Sequence, residues 1–451
     1  MEDPRQEVKK IRWEKLKKAA SMAAPMVVVN ISQYLLRAIS TMIVGHKSEI
    51  SLAGIALASS FANVTGFTLI FGLASALETL CGQAFGARRY EKLSSYTFPS
   101  IVSLLIICFP ISFLWLFTKN ILLLFHQDPK ISEVAYAYCL WLIPALFGYS
   151  ILQSLIRYFQ TQSLIYPMVL SSLVVLCFHA PVCWVLVYTL RLGTKGAALS
   201  ISLSYWLNAV FLWFFMRHSR VCEGKRVLIS MEAFGHMRIF FTLAVPSAMM
   251  VSLENLAFEI LILISGVLPN AKLETSVISM IFTTCSLHYN LATAIGAAAS
   301  TNVANELGAG NLVAAKASAF VAIIIAAVES STISFALFMS RHVWGYAYSN
   351  VPEVIRYAAE VTPILCISIV VDAFSATFTG VVRGSGKQKI GAYVNIAAFY
   401  IFGIPIGLLF CFILDIKVKG LWIGSLCGCT LQTLSLFLIT TFTKWKTNEI
   451  L

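Results

Sequence analysis

The chain has 451 residues, of which 58% are hydrophobic and only 12% are charged. In soluble domains, about a quarter of all residues are charged. This composition therefore excludes an ordinary soluble protein and indicates one that lies in a lipid bilayer. The formal net charge of +12 would also suit a nucleic-acid-binding protein, but the placement of the basic residues fits a membrane better. We therefore expect no nucleic-acid partner.

Long apolar segments give the predicted helices in chain order, because a helix needs about 20 mostly apolar residues to cross a bilayer. Eight charge-free segments are present, at 50–77, 93–118, 134–156, 158–190, 196–216, 275–305, 390–414 and 420–443. Four more are apolar apart from isolated charges, at about 20–45, 239–267, 317–340 and 357–381. The segments are too long and uniform for the strands of a membrane barrel. The sequence predicts an all-α membrane protein with twelve transmembrane helices.

Basic residues are concentrated on one side of this topology. Loops assigned alternately from the N-terminus carry 22 Lys and Arg on one side and 10 on the other. Since cytoplasmic loops carry the excess of Lys and Arg, we expect both termini in the cytoplasm. Residues 9–18, KKIRWEKLKK, are typical of a basic helix lying against acidic lipid, so membrane lipid is an expected partner.

The two halves of the chain share landmarks about 222 residues apart. The matched residues are Pro25 and Pro246, Gly86 and Gly308, Arg157 and Arg383, Gln162 and Gln388, Pro181 and Pro405, and Gly196 and Gly420. An offset of six helices keeps matched helices pointing the same way across the membrane. This repeat predicts two pseudo-symmetric six-helix lobes related by an axis along the membrane normal, with a substrate cavity between them.

The repeat divides the chain into predicted regions. These are a basic cytoplasmic segment 1–18, an N-lobe 19–217, a cytoplasmic linker 218–238, a C-lobe 239–443 and a cytoplasmic tail 444–451. We expect the protein to be a monomer.

Ionisable residues inside predicted helices are the candidates for chemistry, because each costs about 2.5–3.5 kcal/mol in hydrocarbon. Glu254 and Glu259 lie in the seventh predicted helix and Asp372 in the tenth. Burial and a neighbouring negative charge both favour the protonated form of a carboxyl group. A Glu–Asp pair could therefore hold and release a proton and couple its movement to that of a substrate. The alternative for each carboxyl, and for Glu78 and Glu329, is a structural hydrogen bond to a neighbouring helix.

The two glutamates of the seventh helix cannot share one helix face, because about 140° separates them. We predict that Glu254, followed by the polar Asn255, faces the cavity, and that Glu259 is either a second site or a packing group. Pro246 is a candidate hinge in the same helix, unless its role is only structural.

Other polar residues lie at comparable depth. Tyr289, Asn290 and Asn395 could hydrogen-bond the carboxyls, and packing polarity is the alternative. The histidines of the spans, His179 and His288, lack a partner at metal-ligand spacing and are expected to be hydrogen-bonded core residues. No metal site and no cofactor are predicted.

Three segments carry a family resemblance: residues 76–87, ALETLCGQAFGA; residues 303–311, VANELGAGN; and residues 380–388, GVVRGSGKQ. They closely resemble the multidrug and toxic compound extrusion (MATE) family, particularly its plant branch, over essentially all twelve helices. The resemblance implies two six-helix lobes around a V-shaped cavity, and export of organic cations, xenobiotics or secondary metabolites in exchange for protons or sodium. It also implies a plasma or vacuolar membrane location.

The resemblance assigns roles residue by residue. Glu254 and Asp372 match the C-lobe carboxylates implicated in cation coupling. Where bacterial relatives carry an aspartate in the first helix, this chain has Ser40-Thr-Met-Ile-Val-Gly, which favours the C-lobe as the coupling site.

We therefore predict a proton-coupled antiporter that works by alternating access, with protonation of C-lobe carboxylates driving substrate release. A sodium-coupled exporter of the same fold and a passive channel are the alternatives. A membrane enzyme is disfavoured because no Ser-His-Asp or paired-histidine arrangement is present. Cavity aromatics, with Tyr34, Phe258, Tyr289 and Phe374 as candidates unless they only pack between helices, would favour flat organic cations as substrates.

Overall fold

The structure, a computed structural model, describes residues 4–46, 48–228, 232–265, 268, 271–442 and 445. The predicted tail 444–451, apart from Trp445, and residues 229–231 of the predicted linker lie outside this part. The described chain is almost entirely helical and contains no strand. A helix satisfies its own backbone hydrogen bonds, as hydrocarbon surroundings require.

Twelve long helices follow one another in the order that the hydropathy predicts. They are α1 (Pro4–Gly45), α2 (Glu49–Gly86), α3 (Glu91–Leu116), α4 (Pro129–Thr161), α5 (Ile165–Thr189), α6 (Thr194–His218), α7 (Met237–Ser265), α8 (Ala271–Gly308), α9 (Leu312–Met339), α10 (Pro352–Gly384), α11 (Gln388–Ile413) and α12 (Val418–Phe442).

Eleven of these helices, counted over the described residues, are long and apolar enough to cross a membrane. The remaining one, α8, is a continuous helix of 38 residues and coincides with the predicted span 275–305. The predicted helical architecture is thus confirmed. The basic segment 9–18 is helical and continuous with α1, although its only described side chains are Leu16 and Lys17.

The helices form two compact units. Among the described residues, one unit holds those from Val28 to Met249, and the other holds Pro4–Val27, those from Met250 to Phe442, and Trp445. In the first, α4 is central and packs against α2, α3 and α6. In the second, α10 is central and packs against α8, α9 and α12.

Left-handed turn residues reproduce the internal repeat in the backbone. The positive-φ positions pair as Arg88 with Gly310, Ser163 with Gly386, Arg191 with Asp415 and Gly193 with Lys417, all 222 to 224 residues apart. The spacing of Ser163 and Gly386 is 223, whereas Arg157 and Arg383 are 226 apart. The sequence match of those two arginines is therefore three residues out of register, and Gly380 is the residue equivalent to Arg157.

Paired prolines produce paired helix irregularities. Pro181 and Pro405 each stand four residues before a π-helical turn, at Val185–Thr189 in α5 and Leu409–Ile413 in α11. Proline removes a backbone donor from the helix ladder, and a π turn is one way for the chain to accommodate the break. The two halves thus share a local distortion as well as a helix order.

The start of the linker after α6 packs on the ends of α3 and α4. Tyr158 donates a hydrogen bond from its hydroxyl to the Lys225 carbonyl oxygen at 2.8 Å. The Ser94 hydroxyl accepts from the Leu228 amide at 2.7 Å. The residues up to Leu228 are therefore held against the helix bundle.

Candidate functional site

A set of polar side chains lies inside the second unit, with one member from each of the helices α7 to α12. We call this set the polar layer: Glu254 of α7, Tyr289 of α8, Glu329 of α9, Asp372 of α10, Asn395 of α11 and Gln432 of α12. Polar groups this deep in an apolar bundle need partners. The contacts below show how the layer is held together.

Gln432 is the centre of the hydrogen-bond network. Its Nε2 donates to Asn395 Oδ1 at 2.9 Å and lies 3.4 Å from Glu254 Oε2. Its Oε1 accepts from the Ser375 hydroxyl at 2.6 Å. One buried amide thus joins α7, α10, α11 and α12, and it leaves the Glu254 carboxyl with a neutral partner instead of a counter-charge.

Two side chains of α11 fix the backbone of α7 on either side of this carboxyl. Asn395 donates from Nδ2 to the Met250 carbonyl oxygen at 2.7 Å, and the Tyr400 hydroxyl donates to the Leu253 carbonyl oxygen at 2.9 Å. Glu254 itself is buried, with 7% of the residue exposed. Its position is therefore set by its own helix and by α11 together.

Asp372 supplies the second carboxyl and is half-buried. Its negative charge acts on Glu254, and the Cys429 side chain of α12 is its hydrogen-bond partner. The Tyr289 side chain of α8 hydrogen-bonds Glu254. The structure thus brings together Glu254, Asp372, Tyr289 and Asn395, four of the residues singled out from the sequence.

The depth of Asp372 follows from the contact between α8 and α10, which run side by side without intervening side chains. A Cβ on Gly380 would stand 2.1 Å from the Gly296 carbonyl oxygen, and one on Gly384 would stand 2.4 Å from the Ser300 carbonyl oxygen. Small residues allow such close backbone approach in membrane helices. This contact fixes the register between the two helices.

Two of the other predicted site residues make hydrogen bonds within their own helices. Asn255 and Asn290 donate to backbone carbonyls of their own helices, Val251 at 2.9 Å and Ser286 at 2.7 Å. Glu259 is half-buried further along α7. Pro246 lies inside α7, about two turns before Glu254.

The predicted aromatic lining is at least partly packing. The Phe258 ring lies 6.2 Å from that of Phe399 and 6.3 Å from those of Phe282 and Trp422, measured between centroids. Phe374 packs against a buried apolar cluster that includes Phe378. Both rings therefore contribute to the core of the second unit.

Sequence reasoning missed three members of the site. Gln432 and Ser375 were not predicted, because the sequence shows them only as polar residues in apolar helices. His288 was expected to be an ordinary hydrogen-bonded core residue, yet its Nε2 lies 3.3 Å from Glu329 Oε1. The isolated glutamate in the ninth predicted span was the only hint of that pair.

The first unit has a polar cluster of a different kind around Ser40, where the acidic residue of the bacterial pattern is missing. The Ser40 hydroxyl lies 3.0 Å from His179 Nε2, and His179 Nδ1 lies 2.8 Å from the Ser204 hydroxyl. All three residues are buried. They join α1, α5 and α6 and contain no carboxyl.

The described residues contain no group of three or more His, Cys, Asp or Glu arranged to hold a metal ion. Helices long enough to span a bilayer, an internal repeat and an intramembrane carboxyl pair together define a multi-pass membrane transporter.

Comparison with known proteins identifies the family. The MatE family model matches residues 25–185 and 246–409. The chain is similar to Protein DETOXIFICATION 9 of Arabidopsis thaliana, with 65% identity over 441 residues that cover 98% of this chain and 92% of the relative. It is also similar to Protein DETOXIFICATION 8 of the same plant, with 55% identity over 96% of this chain and 89% of the relative. The chain belongs to the MATE family of membrane transporters.

Solved structures agree with this assignment. The crystal structure of the eukaryotic MATE transporter AtDTX14 matches with a TM-score of 0.94 and 48% identity, over 97% of both chains. A Vibrio cholerae MATE transporter matches with a TM-score of 0.85 over 95% of this chain and 97% of its own, at 15% identity, which shows the fold alone.

Proposed function

We propose that this protein is a proton-coupled antiporter that exports organic cations, xenobiotics or secondary metabolites by alternating access. The observation that carries the proposal is the carboxyl pair of the polar layer, in which Glu254 is buried among neutral partners and feels the charge of Asp372. In such surroundings, a carboxylate either binds a proton or attracts a cationic substrate. Competition between the proton and the substrate for the same carboxylate couples their movements across the membrane.

In this scheme, competition for the carboxylate makes protons and substrate move in opposite directions. A proton that arrives from the more acidic side neutralises the carboxyl and weakens its attraction for a bound organic cation. Substrate is then released on that side, and deprotonation on the other side restores the negative charge. The names of the Arabidopsis relatives, which contain the word DETOXIFICATION, support a role in removing unwanted compounds.

A sodium-coupled exporter of the same fold is the second candidate. Carboxylate and amide oxygens are also ligands for hard cations, and Glu254, Asp372 and Asn395 provide them. The protonation scheme is favoured because the Glu254 carboxyl has one amide and one phenol as neutral hydrogen-bond partners, which suit a carboxyl in either protonation state.

The proposal includes the membrane location, the topology and the oligomeric state of the protein. The basic residues favour both termini on the cytoplasmic side, with the linker 218–238 joining an N-lobe 19–217 to a C-lobe 239–443. The plant relatives support a plasma or vacuolar membrane, and we propose a monomer. No enzymatic activity and no cofactor are part of the mechanism.

The test is transport of ethidium, a flat organic cation, in sealed vesicles that contain the purified protein. We expect an imposed proton gradient to drive ethidium against its concentration gradient. With a sodium gradient alone, we expect no net transport of ethidium. Transport that follows only sodium would support the second candidate. Transport that is equal with and without either gradient would support a passive channel.

A further inference from the structure

We propose that protons reach Asp372 through Glu329 and His288, so that these two residues form the entry path of the coupling site. This inference rests on the proposed proton-coupled function and extends it. The inference starts from a contact that involves neither Glu254 nor Asp372. The side chains of His288 of α8 and Glu329 of α9 are in direct contact inside the bundle, with Nε2 3.3 Å from Oε1 and 3.4 Å from Oε2.

Helix register places His288 level with Asp372. The close contacts of α8 with α10 pair Gly296 with Gly380 and Ser300 with Gly384, which is an offset of 84 residues in both cases. The two helices run in the same direction, so the offset holds along their length. Applied to Asp372, it gives His288, two turns before Gly296 on α8.

A second contact places Glu329 at the same level. The Ser334 hydroxyl of α9 donates to the Cys366 carbonyl oxygen of α10 at 2.8 Å. The two helices run in opposite directions, so six residues forward from Cys366 to Asp372 correspond to six residues back from Ser334. That position, 328, is next to Glu329. Three neighbouring helices thus bring an imidazole and two carboxyls to one depth.

The exposed fraction of the side chains decreases from Glu329 to His288. The Glu329 side chain is 19% exposed and that of His288 only 3%. The glutamate therefore lies nearer the surface of the unit, whereas the histidine is enclosed by its neighbours. Among the described residues, His288 Nδ1 is buried and has no hydrogen-bond partner, and the positive charge of a protonated His288 acts on Asp372.

The proton balance of the step is simple. The protonated Glu329 carboxyl gives its proton to Nε2 of the neutral imidazole, which becomes an imidazolium. The imidazolium then releases the Nδ1 proton to the Asp372 carboxylate. One proton has moved from Glu329 to Asp372, and the ring is neutral again in its other tautomer. Exchange of the two ring positions resets it, as in other histidine proton shuttles.

Other titratable or charged groups surround this path. They are Cys285 and Tyr289 on α8, Cys366 and Arg383 on α10, Glu254 on α7 and Cys429 on α12. Of these, Cys285, Tyr289, Arg383, Glu254 and Cys429 are buried or half-buried, and Cys366 donates its thiol to the Ser334 carbonyl oxygen. Among these described groups, only Glu329 combines an acidic side chain with partial exposure and a direct contact to His288.

The experiment measures proton-driven ethidium transport in vesicles for the wild-type protein and for Glu329→Gln and His288→Gln. Loss of a positioned proton-transfer group typically costs a factor of about 100 or more, and direct access of water should reduce this to about tenfold. We expect the rate to fall by that factor at neutral pH and the deficit to shrink as the proton-supplying side is made more acidic. Ethidium affinity, measured by fluorescence without a gradient, should stay within about twofold.

Controls separate this path from a structural effect. Glu360→Gln, on the same helix as Asp372 but in an exposed pair with Lys419, should leave the rate and its pH profile unchanged. Glu329→Asp should retain most of the rate, and added imidazole should restore His288→Ala. Wild-type rates in both glutamine variants, or a deficit that is equal at every pH and unaffected by imidazole, would overturn the path. Absence of proton-driven transport in the wild type would instead overturn the proposed function.

Discussion

Glu78 and Arg157 form an ion pair in which Arg157 Nη1 lies 3.2 Å from Glu78 Oε1, with 0% and 4% of the side chains exposed. The guanidinium also stacks over the Phe71 ring, 4.7 Å from its centroid, and donates to Gln160 Oε1 at 2.6 Å. The pair joins α2 to α4 in the first unit. The equivalent positions in the second unit, Ser300 and Gly380, carry no charge.

This pair should be required for stability. Removing one partner of a buried ion pair leaves the other charge uncompensated and costs about 3–5 kcal/mol, whereas replacing both partners with apolar residues can be nearly neutral. We expect Glu78→Ala or Arg157→Ala to lower the midpoint of thermal unfolding in detergent strongly. Glu78→Leu combined with Arg157→Met should recover most of the loss. A double variant as unstable as the single ones would argue that the pair has a role besides charge compensation.

The carboxyl pair should control coupling. We expect Glu254→Gln or Asp372→Asn to abolish ethidium export driven by a proton gradient, because neither amide can bind and release a proton. The protein should still reach the membrane, as measured by immunoblot of the membrane fraction. Glu259→Gln is the matched control on α7 and should be less harmful. Full activity of both coupling variants would contradict the assignment of the site.

The buried amide of Gln432 should hold the site together. Gln432→Ala removes partners from Ser375, Asn395 and Glu254 at once, and an unsatisfied buried polar group costs about 1–3 kcal/mol. We expect reduced export and a lower unfolding midpoint. Thr430→Ala on the same helix is the control, since the Thr430 hydroxyl only returns to the Leu426 carbonyl oxygen. Equal behaviour of the two variants would exclude a special role for Gln432.

Close packing of α8 on α10 should tolerate no added methyl group. A Cβ on Gly380 would overlap a backbone oxygen at 2.1 Å, and overpacking typically costs about 1–3 kcal/mol, occasionally more. We expect Gly380→Ala to reduce both stability and export. Gly235→Ala provides the comparison, because nothing lies within 4 Å of a Cβ at that position. A fully stable Gly380→Ala protein would show that the two helices can separate at no cost.

Topology should place the linker in the cytoplasm. Cysteine introduced at the exposed Glu223 should react with a membrane-impermeant maleimide only from the cytoplasmic side. Cysteine at the exposed Glu353, at the start of α10, should react only from the opposite side. Both variants need a background without the native exposed Cys177. Reversed labelling would overturn the orientation derived from the basic residues.

Most of the fold could be predicted because apolar length and charge gaps determine where helices cross a bilayer. The site could be predicted only in part. Glu254 and Asp372 stood out because charge is rare in hydrocarbon, but Gln432 did not, since single amides are common in membrane helices. The pairing of His288 with Glu329 depends on the register between α8 and α9, which no feature within either helix reveals. The small-residue spacing from Gly380 to Gly384 was a readable signal of close packing.

The glycine contacts between α8 and α10 also divide the second unit into a fixed part and a movable part. Helices that touch backbone to backbone have little freedom to slide, so Gly296 and Gly380 keep His288 and Asp372 at a constant separation. The helix that carries Glu254 has Pro246 within it and can bend independently of that frame. We therefore expect the distance between Glu254 and Asp372 to be the one that changes during a transport cycle. Spin labels on α7 and α10 should show two distances, and labels on α8 and α10 only one.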